Sequence, residues 1–331
     1  MEPPVMMKQT PRVWVLTDPV VGHASQSLGV AEALDFPFEA RALSYSRLGV
    51  LPGLLGPRLL CGLDAASRAK LAAPWPDLVI ATGRRLGGVA RWIKRRAADD
   101  GQRVFLAQMM DPQRGRAEFD LIAVPAHDGL APQPNVLATM GAPTRVTPER
   151  LAGAADAWRE RLVHLPSPRI ALLVGGSAGR RSFTPQQAAE LGRRASALAQ
   201  AHGGSLMVTT SRRTDDAAAA ALLAAITVPV YAHRWSQAGE NPYYAFLGLC
   251  DAAIVTGESV SMASEAAAAG KPLYVYAPPA LIKPAFARFH AALHAQGLAQ
   301  LLSDNPDFTA SAKPGPRTAM IIAEAIRARL K

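Results

Sequence analysis

The residues with the clearest chemical potential lie in the stretch IVTGESVSMASEAAA, residues 254–268. There an apolar run typical of a buried strand leads into a turn rich in hydroxyl groups and then into an alanine-rich helix. Hydroxyls and free backbone N–H groups at a helix start bind phosphate oxygens, and Glu265, about one turn inside the helix, can accept hydrogen bonds from both hydroxyls of a ribose. The stretch predicts a site for a phosphate and a sugar; a serine-capped helix with Glu265 in a capping interaction is the structural alternative.

Two further loops of the second half carry groups suited to a pyrophosphate. Glycines at the end of the strand RIALLVGGSAG can bring backbone N–H groups close to a ligand. An arginine pair after the next strand suits charge-assisted hydrogen bonds to a pyrophosphate, with surface arginines at a helix start as the alternative. The nucleotide-sugar ligands predicted from these loops and from the turn above are Gly175, Gly176, Ser177, Ser211, Arg212, Arg213, Ser259, Val260, Ser261 and Met262.

In the first half, the loop DPVVGHASQSLGVAEAL follows the first strand and contains the leading candidate for a general base. Gly22 permits a tight turn, and His23 in that turn can take a proton near neutral pH. A helix cap with a solvated histidine is the structural alternative. Gln26 lies where the next helix opens, and its backbone can hold an anion or a sugar hydroxyl. Neither GxGxxG nor GxxxxGK[ST] occurs, so a dinucleotide enzyme or a kinase is not supported.

Charged residues at the ends of three later strands of the first half are expected to converge on one cleft. Arg84 and Arg85 follow the first of these strands, and we assign them, with Gly22 and Gln26, to acceptor binding. The further candidates for the catalytic base, ranked after His23, are Asp111, His127 and Asp128. Each of these alone is also typical of an ordinary loop.

The order of elements predicts the scaffold that positions these residues. Short apolar runs alternate with helical stretches throughout, which indicates parallel sheets flanked by helices. The 331 residues suit two domains. We predict two Rossmann-like, doubly wound α/β domains that face each other across a cleft, with ligands beyond the carboxyl ends of the strands. The predicted boundaries are 1–146, a linker helix at 147–168, a second domain at 169–316 and a final helix at 317–331 that packs back on the first domain.

Composition limits the classes of partner and the cellular location that we expect. A net charge of +10 favours acidic partners such as nucleotides, phosphorylated glycolipids or an anionic membrane face; an arginine-rich proteome is the alternative explanation. The two cysteines match no metal spacing and predict no disulfide framework. No apolar run is long enough to span a bilayer, so we expect a cytoplasmic protein. Dispersed arginines and few aromatics argue against nucleic acid.

One leucine-rich stretch raises a separate hypothesis about membranes. Residues 46–61, SRLGVLPGLLGPRLLC, are broken by prolines and glycines and flanked by arginines. They cannot span a bilayer, but they could dock on the inner leaflet and deliver a lipid acceptor. An internal loop packed on the core is the alternative.

Taken together, the motifs VGHASQSLGVAEAL, PDLVIATGRR, FDLIAVPAHD, LMVTTSRRT, GENPYYAFL and TGESVSMASEA resemble those of two-domain GT-B glycosyltransferases. More specifically, the chain resembles the family named after the plant mitochondrial-fission factor of the elongated-mitochondria type. By this resemblance Glu265 corresponds to the ribose-binding acid, and Glu240 and Asn241 join the nucleotide-sugar residues. Two departures stand out: Glu258 replaces a usual aspartate, and GGSAGRR carries arginines where a lysine-bearing loop is expected.

The resemblance implies a GT-B-like fold and, for bacterial members, sugar transfer to a glycolipid of the lipopolysaccharide type. The plant member is similar to an adaptor that recruits a dynamin-like protein. Our leading hypothesis is a glycosyltransferase that uses a nucleotide-diphosphate sugar as donor, with no cofactor and no metal, since no Asp-x-Asp pair follows a strand in the second half. A non-catalytic adaptor and a nucleotide-sugar epimerase are the alternatives.

Overall fold

The computed structural model describes residues 10–46, 59–303, 308, 310 and 312–330. The chain divides into two compact units, of which unit 1 holds Met1–Arg145 with Thr318–Lys331 and unit 2 holds Val146–Arg317. Each unit is built on a six-stranded sheet in which every pair of neighbouring strands is parallel. Two Rossmann-like α/β domains, as predicted, are therefore confirmed.

Unit 1 alternates strands and helices around two apolar layers, one on each face of its sheet. Strands such as VWVLT and LVIAT are buried along their whole length, as expected for a sheet covered on both faces. Its elements are β1 (Val13–Thr17), α1 (Val21–Leu34), β2 (Phe38–Ala42), α2 (Ala65–Ala69), β3 (Leu78–Thr82), α3 (Gly83–Asp99), β4 (Phe105–Met109), β5 (Leu121–Pro125) and β6 (Val136–Thr139).

Unit 2 repeats this arrangement with longer central strands. Its elements are α4 (Pro148–Trp158), β7 (Arg169–Gly176), α5 (Pro185–Gln200), β8 (Ser205–Arg213), α6 (Asp216–Ala224), β9 (Val230–His233), α7 (Tyr243–Leu249), β10 (Ala252–Thr256), α8 (Val260–Ala268), β11 (Leu273–Tyr276), α9 (Pro284–Ala295) and β12 (Gln300–Leu301). At α5 the sequence signals hold, because Thr184 and Gln187 form a reciprocal capping box ahead of the helix.

The order of strands creates one crossover in each sheet. Unit 1 has the order β2-β1-β3-β4-β5-β6, and unit 2 has the order β12-β11-β10-β7-β8-β9. In unit 1 the strand that follows β1 in the chain, β2, lies on one side of it, and β3 lies on the other. In unit 2, β8 and β9 lie on one side of β7, and β10 lies on the other. In open α/β sheets, ligands bind beyond the carboxyl ends of the strands at such points, which are the β1/β3 crossover and the β7/β10 crossover here.

The segments predicted as a linker helix and as a final helix each pack within one of the units. The region 147–168, interpreted from sequence as a linker helix, belongs to unit 2, where α4 packs against α7. The last helix, α10 (Thr318–Arg329), packs against α1 in unit 1 through Ile322, Ala323 and Ile326. Arg327 donates hydrogen bonds to the last carbonyls of α1, Ala33 O at 2.8 Å and Leu34 O at 2.9 Å.

The membrane hypothesis for residues 46–61 concerns a stretch of which 47–58 lie outside the described residues. Within the ranges that are described, none of the helices has the length and apolar character needed to cross a bilayer.

Candidate functional site

The β7/β10 crossover in unit 2 brings the end of β7 against the turn after β10. The Gly175 backbone N–H donates to Thr256 Oγ1 at 2.8 Å, and the Gly257 N–H donates to Tyr276 O at 2.9 Å. These bonds fix the turn that leads from β10 into α8. The end of β7 and the hydroxyl-rich turn after β10, joined by a bond between residues 81 positions apart, are thus neighbours, as their places at the ends of parallel strands predict.

At the end of β7, two positions require glycine because neighbouring atoms lie where a Cβ would stand. A Cβ on Gly175 would overlap Glu258 Oε1 and would lie 2.7 Å from the Arg213 guanidinium. Gly176 has φ +115, and a Cβ there would overlap the carbonyl of Arg213. We call this region the α8 seat, defined by Gly175, Gly176, Arg213, Glu258 and the first turn of α8.

Glu258 is the buried acid of the α8 seat. Its side chain is fully buried, and its Oε1 accepts from Arg213 Nη2 at 3.0 Å. Its Oε2 has no hydrogen-bond partner in the part of the chain that the structure describes. Burial raises the Glu258 pKa to about 7, although the Arg213 charge opposes this rise. The sequence analysis noted Glu258 only as a departure from the usual aspartate. Its burial could not be predicted, because that burial depends on the order of the strands.

The raised pKa of Glu258 predicts a pH-dependent stability that glutamine should abolish. The folded protein holds this proton up to about pH 7, whereas the unfolded chain releases it near 4.5, so stability falls as pH rises between these values. This difference corresponds to about 3 kcal/mol. Relative to the wild type, the unfolding free energy of Glu258→Gln should therefore rise by about that amount between pH 4.5 and 8.5, as measured by denaturant titration. A constant difference across this range would contradict the assignment.

The first turn of α8 is open to a ligand. Ser259 precedes the helix without making a side-chain cap, and the N–H groups of Val260, Ser261 and Met262 have no acceptor within the described ranges. These three residues are half-exposed, whereas the residues after them are buried. Free N–H groups at the positive end of a helix dipole are suited to bind a phosphate group.

Glu265, the predicted ribose ligand, is largely buried on α8 at 8% exposure. Its Oε2 accepts a hydrogen bond of 2.7 Å from the Tyr243 hydroxyl at the start of α7. Burial and the nearby Glu265 carboxylate both raise the Tyr243 pKa, so the phenol keeps its proton and donates. The carboxylate is thus anchored to α7, and its role towards a ribose stays a prediction.

Several other predicted nucleotide-sugar residues serve the loops themselves. The Ser211 hydroxyl donates to Gly175 O and accepts from the Arg213 N–H. Ser177 Oγ accepts from the Phe183 N–H at 3.0 Å. The Ser211 hydroxyl thus ties the end of β7 to the end of β8, whereas the Ser177 hydroxyl holds the loop that leads to α5. Both serines serve as structural supports.

Three other predicted nucleotide-sugar residues of unit 2 are accessible to solvent. Arg212 is exposed, in contrast to its neighbour Arg213. Glu240 is also exposed, and the exposed Asn241 accepts from the Tyr243 N–H at 3.1 Å, so it orders the start of α7. Trp235, which the sequence analysis did not single out, is 46% exposed, and its backbone N–H donates to Thr210 Oγ1 at 2.9 Å.

In unit 1 the β1/β3 crossover holds an oriented histidine. The prediction placed Gly22 and His23 in a turn, but α1 begins at Val21, so both lie in its first turn. His23 Nδ1 lies 3.1 Å from Asp18 Oδ2. The ring also lies against Gly83, with its Cε1 3.0 Å from the position of a Cβ there. Asp18 fixes the ring orientation and favours a proton on Nδ1, which leaves Nε2 as the basic nitrogen.

Tyr45 lies close enough to Asp18 to feel its charge, and Arg85 lies over the Tyr45 ring. The guanidinium of Arg85 lies 5.2 Å from the ring centroid of Tyr45. Burial raises the Tyr45 pKa, and the Asp18 charge adds to this rise. Asp18 and Tyr45 were not among the predicted site residues; Asp18 could have been noticed from its spacing of five residues before His23.

The remaining predicted residues of unit 1 are placed less favourably for acid–base chemistry. Asp111 forms a two-pronged ion pair with Arg116, at 2.8 and 2.7 Å, and these hydrogen bonds hold its pKa below the ordinary value. Asp111 is therefore a poor base. His127 is buried, and its Nε2 lies 3.7 Å from Asp128 Oδ1.

The predicted acceptor ligands also differ in exposure. Gln26 is buried within α1, and Arg84 and Arg85 are exposed in the first turn of α3, which begins immediately after β3. Arg84 donates to Gln113 Oε1 at 3.1 Å. Within the described ranges, no group of three or more His, Cys, Asp or Glu side chains could hold a metal ion.

Comparison with solved structures supports the fold assignment. A UDP-GlcNAc 2-epimerase from Neisseria meningitidis, solved bound to UDP-GlcNAc, aligns with a TM-score of 0.51 at 9% identity over 96% of this chain and 90% of its own. The glycosyltransferase SnogD from Streptomyces nogalater aligns with a TM-score of 0.51 at 15% identity over 97% of this chain and 96% of its own. At such identities the likeness shows a shared fold alone.

Sequence comparison identifies the family. The Mitochondrial fission protein ELM1 of Arabidopsis thaliana is 27% identical over 237 residues, 65% of this chain and 54% of that protein. The chain thus spans about half the length of this relative. The family model of Mitochondrial fission ELM1 matches residues 21–330, which confirms the resemblance inferred from the motifs. The chain therefore belongs to the Mitochondrial fission ELM1 family.

Proposed function

We propose that this chain is a metal-independent glycosyltransferase that moves a sugar from a nucleotide-diphosphate sugar to a hydroxyl of an envelope glycolipid of the lipopolysaccharide type. The observation that carries a catalytic role is the Asp18–His23 pair at the β1/β3 crossover. A histidine held by a carboxylate at the ligand-binding edge of a sheet is suited to general-base catalysis, which a transferase needs and an adaptor does not.

The donor nucleotide is placed in unit 2. Its diphosphate occupies the first turn of α8, where three backbone N–H groups and the Ser261 hydroxyl are available. When the sugar leaves, negative charge grows on the diphosphate. The helix start and the Arg213 guanidinium stabilise that charge, and these groups can do so without a metal.

The acceptor is activated from unit 1. His23 Nε2 removes the proton from the attacking hydroxyl, while Asp18 orients the ring and stabilises the imidazolium that forms. Arg84 and Arg85 supply positive charge for an acceptor that carries phosphate, in line with the net charge of +10. The lipid nature of the acceptor and docking at a membrane surface rest on the family resemblance.

The nucleotide part of this proposal is tested by calorimetry with a panel of nucleoside diphosphates and their sugars. We expect at least one to bind, and Glu265→Ala to weaken it by about 10- to 100-fold, since a hydrogen bond to a charged group contributes about 1.5–3 kcal/mol. Glu190→Ala, which removes an acid from α5 of the same unit, is the matched control. Unchanged affinity in Glu265→Ala would rule out the ribose assignment.

Incubation with a labelled nucleotide sugar then separates the classes of protein. A transferase consumes the donor only when an acceptor such as purified lipopolysaccharide is added. An epimerase converts the donor into an isomeric nucleotide sugar without an acceptor, and an adaptor leaves it unchanged. Isomerisation in the absence of acceptor would replace the transferase proposal.

A further inference from the structure

The α8 seat contains a buried acid in a place where an anion is proposed to bind. The Glu258 side chain fills the space beside Gly175 and stands one residue before Ser259, which precedes α8. Its Oε1 is paired with Arg213, and its Oε2 has no partner within the described residues. A carboxylate at a helix start that is open to phosphate would repel that ligand.

The elements packed around Glu258 bring few charged groups to it. β7 contributes Gly175 and Gly176, and β8 contributes Arg213, which among the described residues is the charged group whose field acts on Glu258. The β10 turn contributes Thr256, whose neutral hydroxyl lowers the Glu258 pKa, and α9 places His290 against the neighbouring Gly257. The α8 seat therefore holds one acid and one base, with no net charge when Glu258 is ionised and one positive charge when it is protonated.

We propose that binding of a pyrophosphate diester or similar dianion at the α8 seat is coupled to the uptake of one proton by Glu258, which acts as the positioning residue for Arg213. A neutral carboxyl group still fills the space beside Gly175 and still accepts from the guanidinium. It no longer cancels the arginine charge, which then acts on the anion. The choice of a nucleotide diphosphate as the natural ligand rests on the proposed function; the coupling itself does not.

The size of the effect follows from the fraction of protein that carries the proton. Burial raises the Glu258 pKa to about 7, so both forms are populated at neutral pH. At pH 8.5 only about 3% of the molecules are protonated, against nearly all of them at pH 5.5. If only the protonated form binds, affinity falls by about 30-fold between these values.

Calorimetry with UDP-glucose tests the coupling, because its pyrophosphate diester has no proton to lose in this range. We expect affinity for the wild type to fall by about 30-fold from pH 5.5 to 8.5. At pH 7, titration in two buffers of different ionisation enthalpy should show uptake of about half a proton for each ligand bound. Glu258→Gln should bind equally at all three pH values without uptake. Glu190→Gln, which removes an acid from α5, should behave like the wild type.

A parallel series with sodium sulfate separates this inference from the nucleotide proposal, since sulfate stays doubly charged throughout. Suppose that UDP-glucose and the other nucleotides fail to bind, but that sulfate raises the melting temperature more at pH 5.5 than at pH 8.5 and does so only in proteins that retain Glu258. The coupling then holds, and the nucleotide assignment fails. Binding that is independent of pH, or equally dependent in Glu258→Gln, overturns the coupling, as does the absence of any anion binding. Should Glu258→Gln not fold, the wild-type proton uptake decides alone.

Discussion

Replacing Gly175 by alanine is expected to lower the unfolding free energy by about 4 kcal/mol. The added Cβ would overlap the buried Glu258 carboxylate and crowd the Arg213 guanidinium. Overpacking of a filled site costs about 1–3 kcal/mol, and displacing one partner of a buried ion pair adds to that cost. Denaturant unfolding of the purified variant measures this loss.

A second substitution shows whether the clash with Glu258 is the cause. In a Glu258→Ala background, the extra methyl group has space, and Gly175→Ala should cost less than about 1 kcal/mol. The matched control is Gly176→Ala, which meets the backbone carbonyl of Arg213 at φ +115 and should remain costly in both backgrounds. Equal costs of Gly175→Ala with and without Glu258 would show that the contact does not determine stability.

His23→Ala is expected to reduce sugar transfer from a labelled nucleotide sugar to purified lipopolysaccharide by about 10²- to 10⁴-fold. This is the range that a positioned general base contributes. Donor binding in unit 2 should stay unchanged, so the loss should appear in kcat. His164→Ala removes an exposed histidine and is the control.

Asp18→Asn gives a sharper test of the same site. The amide N–H of asparagine would donate to Nδ1 and move the imidazole proton to Nε2, which is then unable to accept. We expect Asp18→Asn to lose nearly as much activity as His23→Ala, and the double variant to lose no more than either. Independent, multiplying losses would mean that Asp18 does not act through His23.

Much of the fold could be predicted from sequence because its signals are local. Alternating apolar runs and helices indicated parallel sheets, and Thr184 with Gln187 marked the start of α5 within four residues. For the candidate site, the sequence predicted which residues lie at the ends of strands and no more. The glycines at the end of β7 and the turn after β10 were expected at one edge, and they meet there.

Side-chain pairings at the strand ends of the two units were not predictable. Asp111 was ranked as a base, yet Arg116 holds it as an ion pair. Glu265 was predicted as a ribose ligand, which stays a prediction, but its hydrogen bond from Tyr243 was not foreseen. Periodicity and capping motifs report the next few residues, and they carry no information on which side chain lies opposite another.

The sequence by itself determined the family, the two α/β domains and the loops that carry polar groups. Only the tertiary structure decided that His23 lies on Gly83, sixty positions away, and that Glu258 is buried against Gly175 and Arg213. The reason is physical. Strand order sets which loops become neighbours, and it depends on long-range packing of both sheet faces, whereas the protonation of a buried acid depends on the solvent that this packing removes.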